Sequence, residues 1–137
     1  LPTSLKKVPS ARWAIASLTQ RCRSKPSTRN GMIRCRFFGR EGNLSGFCIK
    51  GHSGAGTAGT DIVCAAVSSA VYLVANTITE VLSVPAEIRT KDGLLELSVP
   101  YGENPAECQV LLLGLQLHLE ALAQQYPDYI TVTFSEV

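Results

Sequence analysis

From Met32 onward the hydrophobic and polar positions change period several times, and each change marks an element. MIRCRFF (32–38) and LSGFCIK (44–50) are β-like runs joined by the turn residues GREGN (39–43), which predicts a hairpin. DIVCAAVSSAVYLVANT (61–77) is apolar on nearly every side of a 3.6-residue period and predicts a buried central helix. Thr60 or Asp61 is placed to cap it, because a short oxygen side chain accepts the free amide hydrogens of a first turn. PAEIRTK and LLELSVP flank Asp92-Gly93, a second hairpin signal. Asn104, Pro105 and Glu107 then read as cap, first helical residue and capping-box acid. They open a helix that runs to about Gln125, with Leu111, Leu112, Leu115, Leu119 and Leu122 on one stripe and Pro127 beyond its end. YITVTF (129–134) closes the pattern as a last strand. The order β-β-α-β-β-α-β predicts an α+β fold: two layers, a mixed and largely antiparallel sheet, both helices on one face.

Composition adds two constraints. The chain has 137 residues, 45% apolar and 18% charged, which suits one globular domain, and no apolar run of about 18 residues suggests a membrane span. The net charge of +2 conceals a split, because residues 1–31 hold seven Lys or Arg and no acid, whereas 32–137 hold six basic against eleven acidic residues. A basic, Ser-rich, acid-poor block fits a transit peptide, a tail touching nucleic acid, or a start-site or cloning extension. The third reading is preferred, since Met32 follows directly, and residues 1–31 are expected to be disordered and outside a domain spanning 32–137. Five cysteines with no CxxC pair, and only two histidines, argue against a disulfide framework or a zinc site. They suit a reduced, cytoplasmic protein in which Cys35, Cys48 and Cys108 serve as packing groups. His118 is expected at a helix boundary.

One stretch carries candidate chemistry: GHSGAGTAGTDIVCAAVSSA, residues 51–70. Gly54, Gly56 and Gly59 spell G-x-G-x-x-G, and Glu80 stands where a ribose-binding acid would be sought. The context is wrong, because Gly51-His52-Ser53 intervene and a hairpin follows in place of a parallel βαβ unit. The second reading is nucleophilic. With Asp61 as cap, Cys64 lies in the first helical turn, where free amides and the helix dipole stabilise a thiolate. His52, across the loop, would take the thiol proton and later protonate a leaving group. Ser53, Gly54, Gly56 and Gly59 leave a loop without walls, against which an extended peptide fits. Ser68 lies one turn beyond Cys64 and supports the site or bonds its own helix. On spacing alone, a core cysteine and a surface histidine remain open alternatives.

The same residues resemble the signature of the bacterial ribosomal-processing cysteine protease family. The resemblance rests on Gly51-His52, then Gly59, then Asp61-Ile62-Val63-Cys64-Ala65-Ala66 and Ser68, with Met32-Ile33 at the first strand. It implies a homodimeric enzyme with Cys64 as nucleophile and His52 as base, with Asp61 supporting the loop or the histidine. The implied substrate is the N-terminal extension of a large-subunit ribosomal protein, the twenty-seventh of the L series. Ser53 departs from the alanine more usual there. Apolar surface near the loop suggests an aromatic or aliphatic residue at the cut. No metal, cofactor or membrane is implied, and nucleic acid is expected only through residues 1–31. The rival readings are a non-catalytic ribosome-associated binding module and a thiol redox protein; the second lacks a cysteine near Cys64 in sequence.

Overall fold

A computed structural model of the chain describes residues 32–51, 62–100 and 102–137. β1 (Ile33–Arg40) and β2 (Asn43–Lys50) form the first hairpin. Its turn is tighter than the sequence suggests. Only Glu41 and Gly42 separate the strands, with φ of 54° and 80°, the left-handed pair whose twist matches a two-residue hairpin. α1 (Ile62–Asn76) follows, then β3 (Glu87–Lys91), β4 (Leu94–Ser98), α2 (Ala106–Gln125) and β5 (Ile130–Glu136). The sheet order is β3-β4-β2-β1-β5, antiparallel except where β5 lies parallel to β1. This is the expected α+β arrangement. The strand after α1, β3, does not pair with β2, because the antiparallel β4 lies between them, so the adjacent parallel βαβ unit of the dinucleotide reading is missing, and Glu80 lies in the helical run itself.

Strand register sorts the side chains. Ile33, Cys35 and Phe37 of β1, Phe47 and Ile49 of β2, Leu95 and Leu97 of β4 and Ile130 of β5 are buried in one core. Phe37 faces Phe47 across the central pair, with ring centroids 6.2 Å apart and planes tilted by 55°, a favourable aromatic geometry. α1 covers this face with Val63, Cys64, Val67, Ser68, Val71, Tyr72, Val74 and Ala75, and α2 does so with Cys108, Leu112, Leu115 and Leu119.

Three helix features differ from expectation. α1 continues through a π-helical turn, Thr77–Val81, where the Leu82 N–H donates to the Thr77 carbonyl at 2.9 Å. Thr77 and Thr79 help hold this turn by donating to the Leu73 and Ala75 carbonyls, at 2.7 and 3.0 Å. The resulting run Ile62–Val81 has 20 residues and is long and apolar enough to cross a membrane by length and composition, which corrects the sequence count; half of it is buried in the core. Nor is the helix buried all round, since Ile62 and Leu73 on its outer side are 70% and 68% exposed. Finally, Asn104 does not cap α2. Pro105 occupies the cap position without a side-chain bond, because the Asn104 amide is drawn away to the Leu44 carbonyl at 2.6 Å.

Chain direction places the ends of the helices. β2 and β3 both close at the sheet end marked by Gly51 and Gly93, whose backbones bond at 2.8 Å. β3 opens at the other end, where Glu87 pairs with Ser98 and Ser98 with Gly46. A 20-residue helix spans about 30 Å, roughly the length of an eight-residue strand. α1 therefore starts near Gly51 and returns to the far end before β3. α2 starts at that far end and runs antiparallel to α1.

A backbone clamp fixes the start of α2. The β1–β2 register slips between Phe38 and Gly39, leaving Ser45 as the extra residue of a bulge. The bulge turns the Leu44 peptide groups off the ladder. Gln109 takes both: its Oε1 accepts from the Leu44 N–H at 2.9 Å, and its Nε2 donates to the Leu44 carbonyl beside Asn104. One side-chain amide thus replaces a missing strand neighbour. Gln109→Leu, similar in volume but without polar atoms, should lower stability by about 1–3 kcal/mol, the usual cost of an unpaired backbone donor. Urea unfolding of the two chains measures it.

Candidate active site

Cys64 is the third residue of α1, in the turn whose amide hydrogens have no intrahelical acceptors. It is 1% exposed and belongs to the hydrophobic core, as do Cys35 and Cys108. Neither burial nor position at a helix start singles it out, because Cys108 is likewise the third residue of α2. What sets Cys64 apart is that α1 starts at the Gly51 end of the sheet, whereas α2 starts at the opposite end. A thiolate at Cys64 faces the positive end of the helix dipole. Ser68, fully buried one turn later, lies on the same inner stripe.

Before residues 52–61, β2 ends at Lys50 and the backbone leaves through Gly51 with φ 96°. A Cβ at Gly51 would collide with the Met32 carbonyl, so only glycine permits this exit. His52 follows immediately. His52, Ser53, Gly54, Gly56, Gly59, Thr60 and Asp61 lie outside the described residues. What the fold contributes is the approach of the two flanks. The exit of β2 and the entry of α1 occupy the same end of the molecule, with ten residues between Gly51 and Ile62.

Two other thiols are tuned away from reactivity. Burial pushes the Cys108 thiol up from the ordinary 9.0, and the nearby Glu107 carboxylate adds to it. Burial likewise raises Cys48, followed by the charge of Glu96 and its hydrogen bond to the thiol; Arg36 and Lys50 oppose this. Cys48 was expected to be a packing group, but the register Arg36–Cys48–Glu96 puts it on the outer, polar face of the sheet. Among the described residues no cluster of His, Cys, Asp and Glu has metal-binding geometry. His118 is exposed and lines a groove between the helices.

The sequence reading missed the Gln109–Leu44–Asn104 clamp. Its only sequence signal was Asn-Pro-x-x-x-Gln, which reads as an ordinary helix start. Beside the clamp lies a cavity of ≈ 500 Å³ lined by Arg40, Ser45, Val99, Pro100, Gly102 and Asn104, at the sheet end opposite Gly51. It does not include Cys64.

The family model described as cysteine protease Prp matches residues 32–131. No curated protein matches the chain. Among solved structures, SMU.848 from Streptococcus mutans is 30% identical, with 81% of this chain and 100% of that chain covered and a TM-score of 0.67. An essential ribosomal processing protease Prp from S. aureus, in complex with a covalently linked product peptide, is 25% identical over 76% of this chain and 100% of its own, with a TM-score of 0.71. The same S. aureus protease with a substrate peptide, at 24% identity, the same coverage and a TM-score of 0.66, matches in fold.

The raised thiols fix a pH dependence. Unfolded thiols ionise near 9.0, whereas Cys48 and Cys108 in the folded chain hold their protons higher. Their contribution to stability is complete below that value and is lost as pH rises through it. Near pH 8, iodoacetamide should alkylate both more slowly in the native chain than in the unfolded one. Glu96→Gln, which removes the charge that helps hold the proton, should accelerate Cys48 several-fold and leave Cys108 unchanged. Peptide-resolved mass spectrometry reads the rates.

Proposed function

This chain belongs to the cysteine protease Prp family, and on that premise we propose that Cys64 and His52 form the catalytic pair of a ribosomal-protein processing peptidase. The observation that carries the reading is Cys64 in the first turn of α1, at the end of the molecule where β2 exits through Gly51, the residue before His52 in sequence. His52 takes the proton from the Cys64 Sγ, and the thiolate attacks a backbone carbonyl carbon. The oxyanion forms against the free amides of the first helical turn. His52 then gives its proton to the leaving amine, and a water molecule activated by the same imidazole hydrolyses the acyl-enzyme. Asp61 supports the helix start or the histidine, with Ser68 behind the nucleophile. Ser53, Gly54, Gly56 and Gly59 line the path of the extended peptide.

The substrate we assign is the N-terminal extension of a large-subunit ribosomal protein. The ribosomal processing activity and covalent product peptide of the S. aureus Prp support this assignment. We place the protease domain at 32–137, in keeping with a family match that starts at Met32. A cytoplasmic setting fits Cys35, Cys48, Cys64 and Cys108, none of which is in a disulfide.

We assign the enzyme as a homodimer through its helices. Ile62, Leu73, Val110, Leu113 and Leu117 are each more than half exposed on that side. They flank a groove of ≈ 580 Å³ between α1 and α2. Gly114 opens a notch there, with nothing within 4 Å of a Cβ at that position. A mid-helix glycine costs about 1 kcal/mol relative to alanine, and close approach of a second helix is what would offset it.

A peptide copying the ribosomal-protein extension should be cut once by the intact chain and not at all by Cys64→Ala, with products read by mass spectrometry. His52→Ala should lower the rate by about 10²-fold or more. A folded, intact chain that leaves the peptide whole refutes the reading. Leu73→Glu with Leu117→Glu should shift the chain from dimer to monomer in sedimentation velocity; an unchanged dimer would exclude the helical face.

A further inference from the structure

The sum of charges over residues 32–137 is negative, yet the fold does not distribute that charge evenly. Register brings Arg34 opposite Lys50, Lys50 opposite Leu94 and Leu94 opposite Lys91, in one row across the sheet. The next row runs Arg36, Cys48, Glu96, Arg89. Residues paired in this way share a face, and the core occupies the other one. Five of the six basic residues after Met32 therefore stand on the open side of the sheet, all of them exposed. Only Glu87 and Glu96 join them there. The remaining described acids sit in turns, in loops, at the end of β5 or on the helical layer, and neither helix contains a Lys or Arg. Among the described residues, charge is divided between the two sides of the sheet.

We propose that this open sheet face is a docking surface for the phosphate backbone of structured RNA. The proposal goes beyond the protease reading and does not depend on it. Adjacent strands lie about 4.8 Å apart and alternate residues about 6.7 Å apart. The cations from β1 to β3 therefore form a grid some 14 Å wide, rigid because it is part of the sheet. Arg36 lies over the Phe38 ring at 5.8 Å, which holds its guanidinium on the surface. Arg89 is loosely paired with Glu96 at 4.0 Å. Arg34, Lys50 and Lys91 share a row without an acid. On β5, exposed Thr131 and Thr133 stand beside Arg34 and Arg36 and add hydroxyls to the same face.

The chemistry selects among polyanions. An acidic protein gains its affinity from desolvated apolar anchors, and Phe38, the aromatic side chain on this face, is only 9% exposed. Single-stranded nucleic acid calls for exposed rings on which bases stack. A phosphate backbone needs neither, since neutralised phosphates supply the binding energy through counterion release. A flat grid cannot enter the DNA major groove, which admits a helix or ribbon. It suits the wide, shallow minor groove of an A-form duplex, where hydroxyls such as those of Thr131 and Thr133 meet the 2′-OH groups.

The test is fluorescence anisotropy of a labelled RNA hairpin with the full chain over a salt series. The triple variant Arg34→Gln, Lys50→Gln, Lys91→Gln should bind at least tenfold more weakly at physiological salt. Its slope of log affinity against log salt should fall by about two to three, near 0.9 for each phosphate contact removed. Glu96→Gln should bind more tightly. Replacing the seven Lys and Arg of residues 1–31 by Gln should leave the face's share of the slope intact. Thermal unfolding verifies the fold; if the triple variant fails to fold, each single substitution should lower the slope by about one. A folded triple variant with unchanged affinity and slope overturns the proposal. So does equal binding of a DNA duplex, or displacement of the RNA by a glutamate-rich peptide at matched charge.

Discussion

The register of β1 against β2 is the constraint on which the molecule depends. Phe37 opposite Phe47 and Cys35 opposite Ile49 bury the inner face of the two central strands. A slip of one residue would turn Arg34 and Arg36 into the core and the phenylalanines out to water, because side chains alternate with period two. Burying even one unpaired guanidinium costs far more than the few kcal/mol a buried aromatic side chain contributes. The same alignment also ends β2 at Gly51 and begins β1 beside it, so core packing and the placement of the site follow from one choice. The bulge at Ser45 is the single departure. It is local, and Gln109 and Asn104 satisfy the peptide groups it releases.

Much of this architecture is legible in the chain, for identifiable reasons. Glu41-Gly42 supply the left-handed pair that a two-residue hairpin favours, Gly93 supplies the positive φ of the second turn, and alternating apolar positions mark the core face of each strand. The π-helical extension of α1 is less visible, since Thr77 and Thr79 look like terminators until their hydroxyls are seen bonding back to Leu73 and Ala75. Asn104 looks like a helix cap, and only the displaced Leu44 peptide reveals another use for it. Cys48 looks like packing because its partner Glu96 is forty-eight residues away in sequence and is brought alongside by the sheet. In each case the sequence carries local preference, and a long-range partner decides the outcome.

The candidate site shows a similar division. The motif from Gly51 to Ser68 names the candidate residues, while the fold shows where its two described flanks, Gly51 and the start of α1, lie. α1 has to start near Gly51, because it must travel the length of the sheet to reach β3 at the far end. That direction turns the positive end of the helix toward the exit of β2 and sets Cys64 in its first turn. The thiols Cys48 and Cys108 are held protonated by burial and by neighbouring carboxylates. Cys108 shows that a helix start alone does not hold a thiol's pKa down, since it too is the third residue of its helix and is raised by burial and by Glu107.

The chain offers three surfaces of different chemistry, and they do not compete for space. The helical layer exposes Ile62, Leu73, Val110, Leu113 and Leu117, and its charged side chains are the acids Glu80, Glu107 and Glu120, with no Lys or Arg among them. The opposite face of the sheet is cationic and has no exposed aromatic anchor, so its attraction acts at a distance and weakens with salt. The end at Gly51 and Cys64 lies between these two layers. A partner on the helices would leave both the sheet face and that end open, and a polyanion on the sheet would approach the end from the side of Arg34, Lys50 and Lys91. The row with no acid is the one nearest Gly51, so charge is concentrated where the site meets the sheet face rather than where the helices meet solvent. Net charge alone would hide this arrangement, because the acids that outnumber the bases lie mostly away from that face.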